Sequence, residues 1–216
     1  EKRDSVGENS FASGFESKAI GKYSQGLGYK AIARGDYSTA IGKNAVAEDI
    51  NSFAFGEDAT AKNDESYAIG RGAIASGYRS FAFGSAGVDS TGQVTGVSFA
   101  KGDYSFAIGQ GSQALGKGSF TMGLADTAKG EYSIALGYKT TASAKSSLSI
   151  GCQTIASASY STAMGLMTFA SGSRSTAMGY QTIASGLNST ALGVSTIASG
   201  KYATALGGYT IAYGPY

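Results

Sequence analysis

The chain has 216 residues, of which 33 are glycine, one is proline and 15% are charged, and its net charge is +2. So few charges argue against a disordered chain, the near-neutral balance gives no sign of a nucleic-acid partner, and no apolar run is long enough to cross a membrane as a helix. With no histidine and one cysteine, the chain lacks the commonest general base and cannot form an internal disulfide framework, so we expect no enzyme, no cofactor and no metal site.

Residues 1–8 are predicted to be a lead-in to the repeated part of the chain. Ser5-Val6-Gly7 fits the second half of a preceding repeat. The sequence begins without methionine and has no signal peptide, which predicts that it is a piece of a longer protein.

Residues 9–216 consist of a 14-residue repeat. The repeat is marked by one glycine, here called position 0, and a single interval, from Gly84 to Gly109, is 11 residues longer than the others. The 14 marker glycines are Gly14, Gly28, Gly42, Gly56, Gly70, Gly84, Gly109, Gly123, Gly137, Gly151, Gly165, Gly179, Gly193 and Gly207. A period of this length indicates a solenoid, in which each repeat packs on its neighbours.

The composition of each position predicts two short strands and two corners per repeat. Position −4 is serine in 13 of 14 repeats, position −1 is a bulky apolar residue in 13, and position +5 is always alanine. The alternation predicts one strand from −5 to −1 and a second from +3 to +6, with +5 packed inside and +4 facing outward. The sequence leaves open whether position −1 or position −2 faces the interior; the bulk of −1 favours it, since it would fill the space opposite alanine +5. Glycine at 0 and +7 is expected to supply positive φ at the corners.

Two further segments are candidate contact surfaces. The insertion at 85–95, which includes Val88, Asp89 and Gln93, is predicted to be a loop that leaves the solenoid at a corner, either for binding or as a tolerated surface loop. Towards the C-terminus position +4 becomes apolar, and residues 146–216 carry only two charged residues. This stripe consists of Ile155, Phe169, Ile183, Ile197 and Ile211. We expect it to be covered by a ligand, a second subunit or a neighbouring domain.

The repeat resembles the head repeat of YadA-type trimeric autotransporter adhesins over residues 9–216. That motif runs Asn-Ser-Val-Ala-Ile-Gly-x-x-Ser with a 14-residue period, and the strings at 51–56 (NSFAFG) and 188–193 (NSTALG) are similar to it. The leading asparagine departs from the motif in most repeats, where tyrosine is commoner.

The resemblance implies an all-β, left-handed parallel β-roll of 14-residue coils, with three chains packed side by side. It also implies a bacterial cell-surface location, with an outer-membrane anchor in regions absent from this chain, and binding to a host matrix protein or cell-surface ligand. The uncharged strand supports a homotrimer, because an uncharged outer face would be buried between symmetric copies. A passive spacer or phage tail-fibre segment is the alternative function.

Overall fold

The computed structural model describes residues 6–88, 91 and 93–214 of the chain. The chain divides into two compact units, Glu1–Ala114 and Leu115–Tyr216. The secondary structure of the described residues consists of short strands joined by turns and bends. Each unit is a stack of 14-residue coils, which confirms the β-solenoid predicted from the repeat.

The first unit contains strands β1 to β16. Their bounds are β1 (Phe11–Ser13), β2 (Lys18–Ala19), β3 (Gln25–Leu27), β4 (Ile32–Ala33), β5 (Thr39–Ile41), β6 (Val46–Ala47), β7 (Phe53–Phe55), β8 (Thr60–Ala61), β9 (Tyr67–Ile69), β10 (Ile74–Ala75), β11 (Phe81–Phe83), β12 (Gly87–Val88), β13 (Val94–Gly96), β14 (Phe99–Ala100), β15 (Phe106–Gln110) and β16 (Gln113–Ala114). The first strand of each coil joins one parallel sheet, in the order β1-β3-β5-β7-β9-β11-β15, and the second strand joins another, in the order β2-β4-β6-β8-β10-β14-β16.

The second unit contains strands β17 to β30. Their bounds are β17 (Phe120–Leu124), β18 (Thr127–Ala128), β19 (Ile134–Tyr138), β20 (Thr141–Ala142), β21 (Leu148–Cys152), β22 (Ile155–Ala156), β23 (Thr162–Leu166), β24 (Phe169–Ala170), β25 (Thr176–Tyr180), β26 (Ile183–Ala184), β27 (Thr190–Val194), β28 (Ile197–Ala198), β29 (Thr204–Gly208) and β30 (Ile211–Ala212). The odd-numbered strands form one parallel sheet, here again called the first sheet, and the even-numbered strands form the second.

The register of both sheets follows the sequence repeat. Residues 14 apart are partners, such as Gln25 with Thr39 in the first sheet and Ile32 with Val46 in the second. Across the insertion Ile74 pairs with Phe99, so the coil resumes in the register that the sequence predicted. In the earlier coils the first-sheet strands are shorter than predicted and run from −3 to −1. From β15 onward the first-sheet strands run from −3 through glycine 0 to position +1.

Among the described residues, the fully buried positions of the roll hold small side chains. Positions −4, −2, +3 and +5 point inward, and alanines such as Ala40, Ala47 and Ala135 are fully buried. Of the two positions left open, −2 faces inward and the favoured −1 does not, since Phe55 and Met122 at −1 are 47% and 49% exposed. Because alanine and serine on one strand already meet alanine and threonine on the other, no space is left inside for a larger side chain.

Serine at −4 stabilises the corner that precedes the first strand. Ser24 Oγ donates to the carbonyl of Gly21 at 2.7 Å, and Ser38 Oγ donates to Gly35 at 2.6 Å. The same hydroxyl-to-carbonyl contact recurs in the second unit, where Ser133 donates to Gly130. The serine side chain is therefore held inward by its own corner, and period-two alternation places position −2 on the same side.

The corners adopt a conformation that the glycine pattern did not predict. Glycine at 0 has positive φ, as expected, but glycine at +7 does not. At +7 the reason for glycine is close approach, because a Cβ built on Gly35 would overlap the carbonyl of Asp49 in the next coil. Left-handed non-glycine residues lie instead at −5 and +2, where tyrosine and asparagine are the commonest types; Tyr37 and Lys139, for example, have φ of 58° and 53°.

Candidate functional site

The outer face of the first sheet is apolar in both units. It is formed by positions −3 and −1, which in all 14 coils are uncharged and are mostly phenylalanine, isoleucine, leucine, methionine or threonine. In the first unit Phe11 is 59% exposed, and in the second unit Met122 and Leu206 are 49% and 59% exposed. We call these two positions the apolar face. Contiguous exposed apolar surface of this kind marks an interaction site in soluble proteins.

An aromatic ladder forms part of the apolar face in the first unit. Ring centroids are 6.4 Å apart between Phe53 and Tyr67, 6.1 Å between Tyr67 and Phe81, and 6.0 Å between Phe81 and Phe106. These rings occupy position −3 of successive coils, and parallel pairing in register brings them together. The second unit has threonine at this position from Thr162 onward, so the two units present different versions of the same face.

The predicted apolar stripe lies on the outer face of the second sheet of the second unit. Parallel pairing places Ile155 beside Phe169, Phe169 beside Ile183, and Ile197 beside Ile211. Phe169 and Ile211 are 40% and 51% exposed, whereas Ile155, Ile183 and Ile197 are partly buried. The structure thus brings all five predicted residues together in one outward-facing row.

A groove of about 540 Å³ runs over part of this stripe. It is lined by Lys139, Gln153, Ile155, Met167, Phe169, Gln181 and Ile183. Position +4 supplies the floor and position +2 supplies one rim. The sequence predicted the floor but not the rim, because the residue types at +2 do not mark that corner as a contact position. The signal was present, since +2 lies next to the outward +4 column in every coil.

The described part of the insertion contains two paired strands, which the prediction of a loop did not include. Strand β12 pairs antiparallel with β13, with Gly87 opposite Gly96. Of the three predicted contact residues, Val88 lies in β12 and Gln93 is exposed beside β13. Asp89 lies outside the described residues. The hairpin is anchored at Ala86, which is buried and accepts a hydrogen bond from Gln110 Nε2 at 3.5 Å.

The charged residues of the first unit pair with one another along the stack. Lys43 Nζ lies 2.7 Å from Glu57, and Arg79 donates two hydrogen bonds to Glu65, at 2.7 and 3.0 Å. Each pair joins residues 14 apart, because alternating charges at one corner position meet in successive coils. The hydrogen bond from Arg79 lowers the pKa of Glu65. These pairs are exposed, so each stabilises the fold only slightly.

One acidic residue of the second unit is buried, which sequence reasoning missed. Asp126 occupies inward position +3, where the following coils have threonine, and its carboxylate accepts hydrogen bonds at 2.8 Å from Gly137 N, Thr140 N and Thr140 Oγ1. Burial raises the pKa of Asp126, although these three donors oppose the shift. The threonines at +3, such as Thr154 and Thr182, are also fully buried, as alternation predicted.

Neither a metal cluster nor a membrane-spanning helix is found in the part of the chain that the structure describes. Within residues 6–88, 91 and 93–214, no three histidine, cysteine, aspartate or glutamate side chains form a group that could hold a metal ion. Over the same residues, no helix has the length and apolar character needed to span a bilayer.

Comparison with known protein families matches the YadA head domain repeat along most of the chain. The matches cover residues 26–45, 33–59, 61–86, 100–120, 128–151, 156–182 and 184–210, well over half of the sequence. The chain belongs to the YadA head repeat family. Membership indicates an adhesin-like domain of the trimeric autotransporter type, exposed at a surface. No individual curated protein matches this YadA-type head at a significant level.

Proposed function

We propose that this YadA-type head is a non-catalytic adhesin that acts as a parallel homotrimer at the bacterial cell surface. In this proposal the apolar face packs the three chains together, and the outer face of the second sheet contacts a host matrix protein or cell-surface ligand. The observation that carries the proposal is the apolar face, which stays uncharged through every coil while remaining exposed in the single chain.

The choice between the two outer faces follows from their charges. The outer face of the second sheet in the first unit carries Lys18, Arg34 and Glu48, which are exposed and would be costly to bury between subunits. The apolar face has no such residues. Burying its rows of phenylalanine and methionine would contribute about 25 cal/mol per Å² of apolar surface removed from water. The symmetric contact therefore belongs to the first sheet, and the second sheet is left for a ligand.

A passive spacer is the second candidate function. It is favoured by the first unit, where several charged residues pair with a residue one coil away along the stack, as in Lys30–Glu16 and Lys43–Glu57. A spacer needs only length and rigidity, and such a unit supplies both. The stripe of the second unit has no role in a spacer, so a ligand-binding assay separates the two functions.

Two double variants in the second unit test the proposal. Leu148→Lys with Ile150→Lys places charges on the apolar face, and Ile183→Lys with Ile197→Lys places them on the stripe. Both pairs are partly buried and outward-facing, so each serves as the control for the other. The readouts are particle mass by light scattering and binding to matrix-coated surfaces and cells.

We expect the first variant to lose the trimer, and the second to keep the trimer and lose binding. A wild-type chain that stays monomeric at micromolar concentration contradicts the trimer. Loss of the trimer in the second variant assigns the stripe to a subunit contact. If both variants keep mass and binding, neither face has a contact role. Wild-type trimers that bind neither matrix nor cells support the spacer.

A further inference from the structure

The groove of the second unit combines an apolar floor with hydrogen-bonding rims. Its floor is the row Ile155, Phe169 and Ile183, neighbours in successive strands β22, β24 and β26. Phe169 is 40% exposed, so its ring is available to a ligand. At about 4.8 Å per coil, this floor is about 10 Å long and has no polar break.

The first rim is formed by the side chains of corner position +2. Gln153, Met167 and Gln181 all have left-handed backbone, with φ of 54°, 55° and 55°. The carboxamide oxygen of Gln181 accepts a hydrogen bond from Ser195 Oγ at 3.5 Å, which leaves the amide group of Gln181 as a donor for a ligand. The amide groups of Gln153 and Gln181 are two coils apart and flank Met167.

The opposite side of the floor carries a row of exposed hydroxyls. Position +6 is serine in successive coils, at Ser157, Ser171 and Ser185, and all three are exposed. Period-two alternation puts +6 on the same outward face as +4. A molecule lying on the floor is therefore in reach of hydrogen-bonding groups on both sides.

The charge of the groove has one sign. Lys139 lies at its N-terminal end, with Nζ 5.0 Å from the centroid of the Tyr138 ring. The second unit contains six lysine and arginine residues but only two acidic ones, and of these Asp126 is buried in the interior while Glu131 is paired with Lys145. The positive charge of Lys139 would therefore attract an anionic group placed beside it.

We propose that the groove binds an extended polypeptide segment in which apolar side chains alternate with polar ones and an acidic residue lies beside Lys139. This proposal rests on the adhesive function proposed above and names the class of ligand. The apolar side chains cover the floor, the peptide groups hydrogen-bond to the glutamine and serine rims, and the carboxylate pairs with Lys139. From Lys139 to Gln181 the groove crosses three coil spacings, about 14 Å, which about four to five extended residues span at about 3.3 Å per residue.

Two other ligand classes fit the groove less well. A fatty acid would contact the floor and pair with Lys139, but it would remove water from the glutamine and serine side chains of the rims without forming hydrogen bonds to them. Leaving those polar groups unpaired costs free energy. A glycan would bond to the rims but would leave Ile155 and Ile183 without apolar contact. Only a peptide offers apolar side chains and hydrogen-bonding groups at regular spacing along one chain.

The test uses the full chain and fluorescein-labelled peptides, with binding measured by fluorescence polarisation. The acidic probe is a single aspartate joined to three leucine–serine repeats, made with the aspartate at either end. The basic probe has lysine in place of the aspartate. We expect the better acidic probe to bind about two to five times more tightly than its basic counterpart, the effect of one exposed charge pair.

Matched variants assign the binding to the groove. Lys139→Glu should reverse the preference between the acidic and basic probes, whereas Lys117→Glu, an exposed lysine of the same unit outside the groove lining, should leave it unchanged. Phe169→Ser should weaken both probes at least tenfold, since it removes the aromatic ring from the floor of the groove. Tyr160→Ser, at an exposed corner where the preceding coil already has Ser146, is its control.

Each outcome decides the proposal. Equal binding of the acidic and basic probes, or an unchanged preference in Lys139→Glu, overturns it. Displacement of the peptides by dodecanoate at a lower concentration than by unlabelled peptide assigns the groove to an amphiphile and also overturns it. A wild-type head that binds matrix or cells but none of the peptides overturns the peptide ligand and leaves the adhesive function standing, whereas a head that binds neither contradicts both.

Discussion

Alanine at position +5 in every coil fixes the thickness of the roll. Ala128 is fully buried and packs with Ala135 and Ala142. The largest fully buried side chains of the described residues are threonines, so the two sheets lie close together and a longer side chain would have to push them apart. The stability of the roll therefore depends on keeping large side chains out of the core, and position +5 requires a small residue.

Ala128→Leu should destabilise the head by about 1–3 kcal/mol or more, because overpacking forces the two sheets apart. The measurement is thermal or urea-induced unfolding followed by circular dichroism. Gln153→Lys is the control and should be neutral within about 0.5 kcal/mol. Lys139 already occupies the same +2 position one coil earlier, with φ of 53°. Equal shifts for the two variants would contradict the inward position of +5.

The buried Asp126 should make stability depend on pH. Burial raises its pKa in the folded head, so the folded state binds a proton more readily than the unfolded state. The stability contributed by this group is therefore greatest below the unfolded pKa of about 3.9 and is lost as pH rises through the folded value. Above that value the ionised carboxylate stays buried at a net cost.

Asp126→Thr should remove this dependence, since threonine occupies +3 in the coils that follow. We expect the difference in melting temperature, variant minus wild type, to become more positive as pH rises from about 3.5 to 7. Thr141→Ser, on the outer side of the adjacent coil, is the control and should show a constant difference. A difference that shrinks with rising pH would mean that the three hydrogen bonds outweigh burial.

The two strands and two corners of a coil were largely readable from the sequence, but their orientation was not. Period 14 and alternation gave the parallel sheets and the register. The inward side of the first strand was not predicted, because the sequence does not show that serine at −4 is buried at its corner, where hydroxyls such as that of Ser24 donate to a backbone carbonyl. Position −1 was therefore favoured on the basis of its bulk alone.

The backbone conformation of the corners was also not predictable from the conformational preferences of individual residues. A tyrosine with positive φ, such as Tyr23 or Tyr37, is sterically unfavourable in isolation, so propensity points to glycine at such positions. Here the stacked coils supply the compensation, because the two rings lie 5.1 Å apart and nearly parallel. The groove rim was missed for the same reason, since its residues occupy the left-handed position +2.

Glycines of two corner positions should differ sharply in their tolerance of a side chain. Gly42 has φ of 130° and its Cβ would overlap the carbonyl of Gly56, whereas Gly72 has φ of 69° and the nearest atom is Ala86 Cβ at 3.6 Å. Gly42→Ala should cost about 1–3 kcal/mol for backbone strain alone. Gly72→Asn should be nearly neutral, as Asn44 occupies that position with φ of 55°. Urea denaturation measures both, and similar losses would refute the distinction.

At the scale of the molecule, each unit is a sum of coils that contact only their neighbours. Such stacks are stabilised by repeat and nearest-neighbour terms, so length can change without a change of fold. The insertion shows that one coil accepts 11 extra residues, because they leave as a hairpin and the next strand returns in register at Phe99. The loss of residues from a coil is different, because a coil that is too short cannot reach from one sheet to the other and back.

Removing one whole coil should therefore be tolerated and removing slightly more should not. Deletion of residues 152–165 joins Gly151 to Leu166 and keeps every position in phase, so the remaining pairs, such as Gly151 with Gly179, can form. We expect cooperative unfolding with a small decrease in melting temperature. Deletion of residues 152–167 leaves one coil two residues short, because it joins Gly151 directly to Thr168 and removes the corner between the two strands. It should lower the melting temperature further and broaden the transition. Calorimetry of the two deletions provides the comparison, and equal behaviour would show that stability does not depend on a complete 14-residue coil.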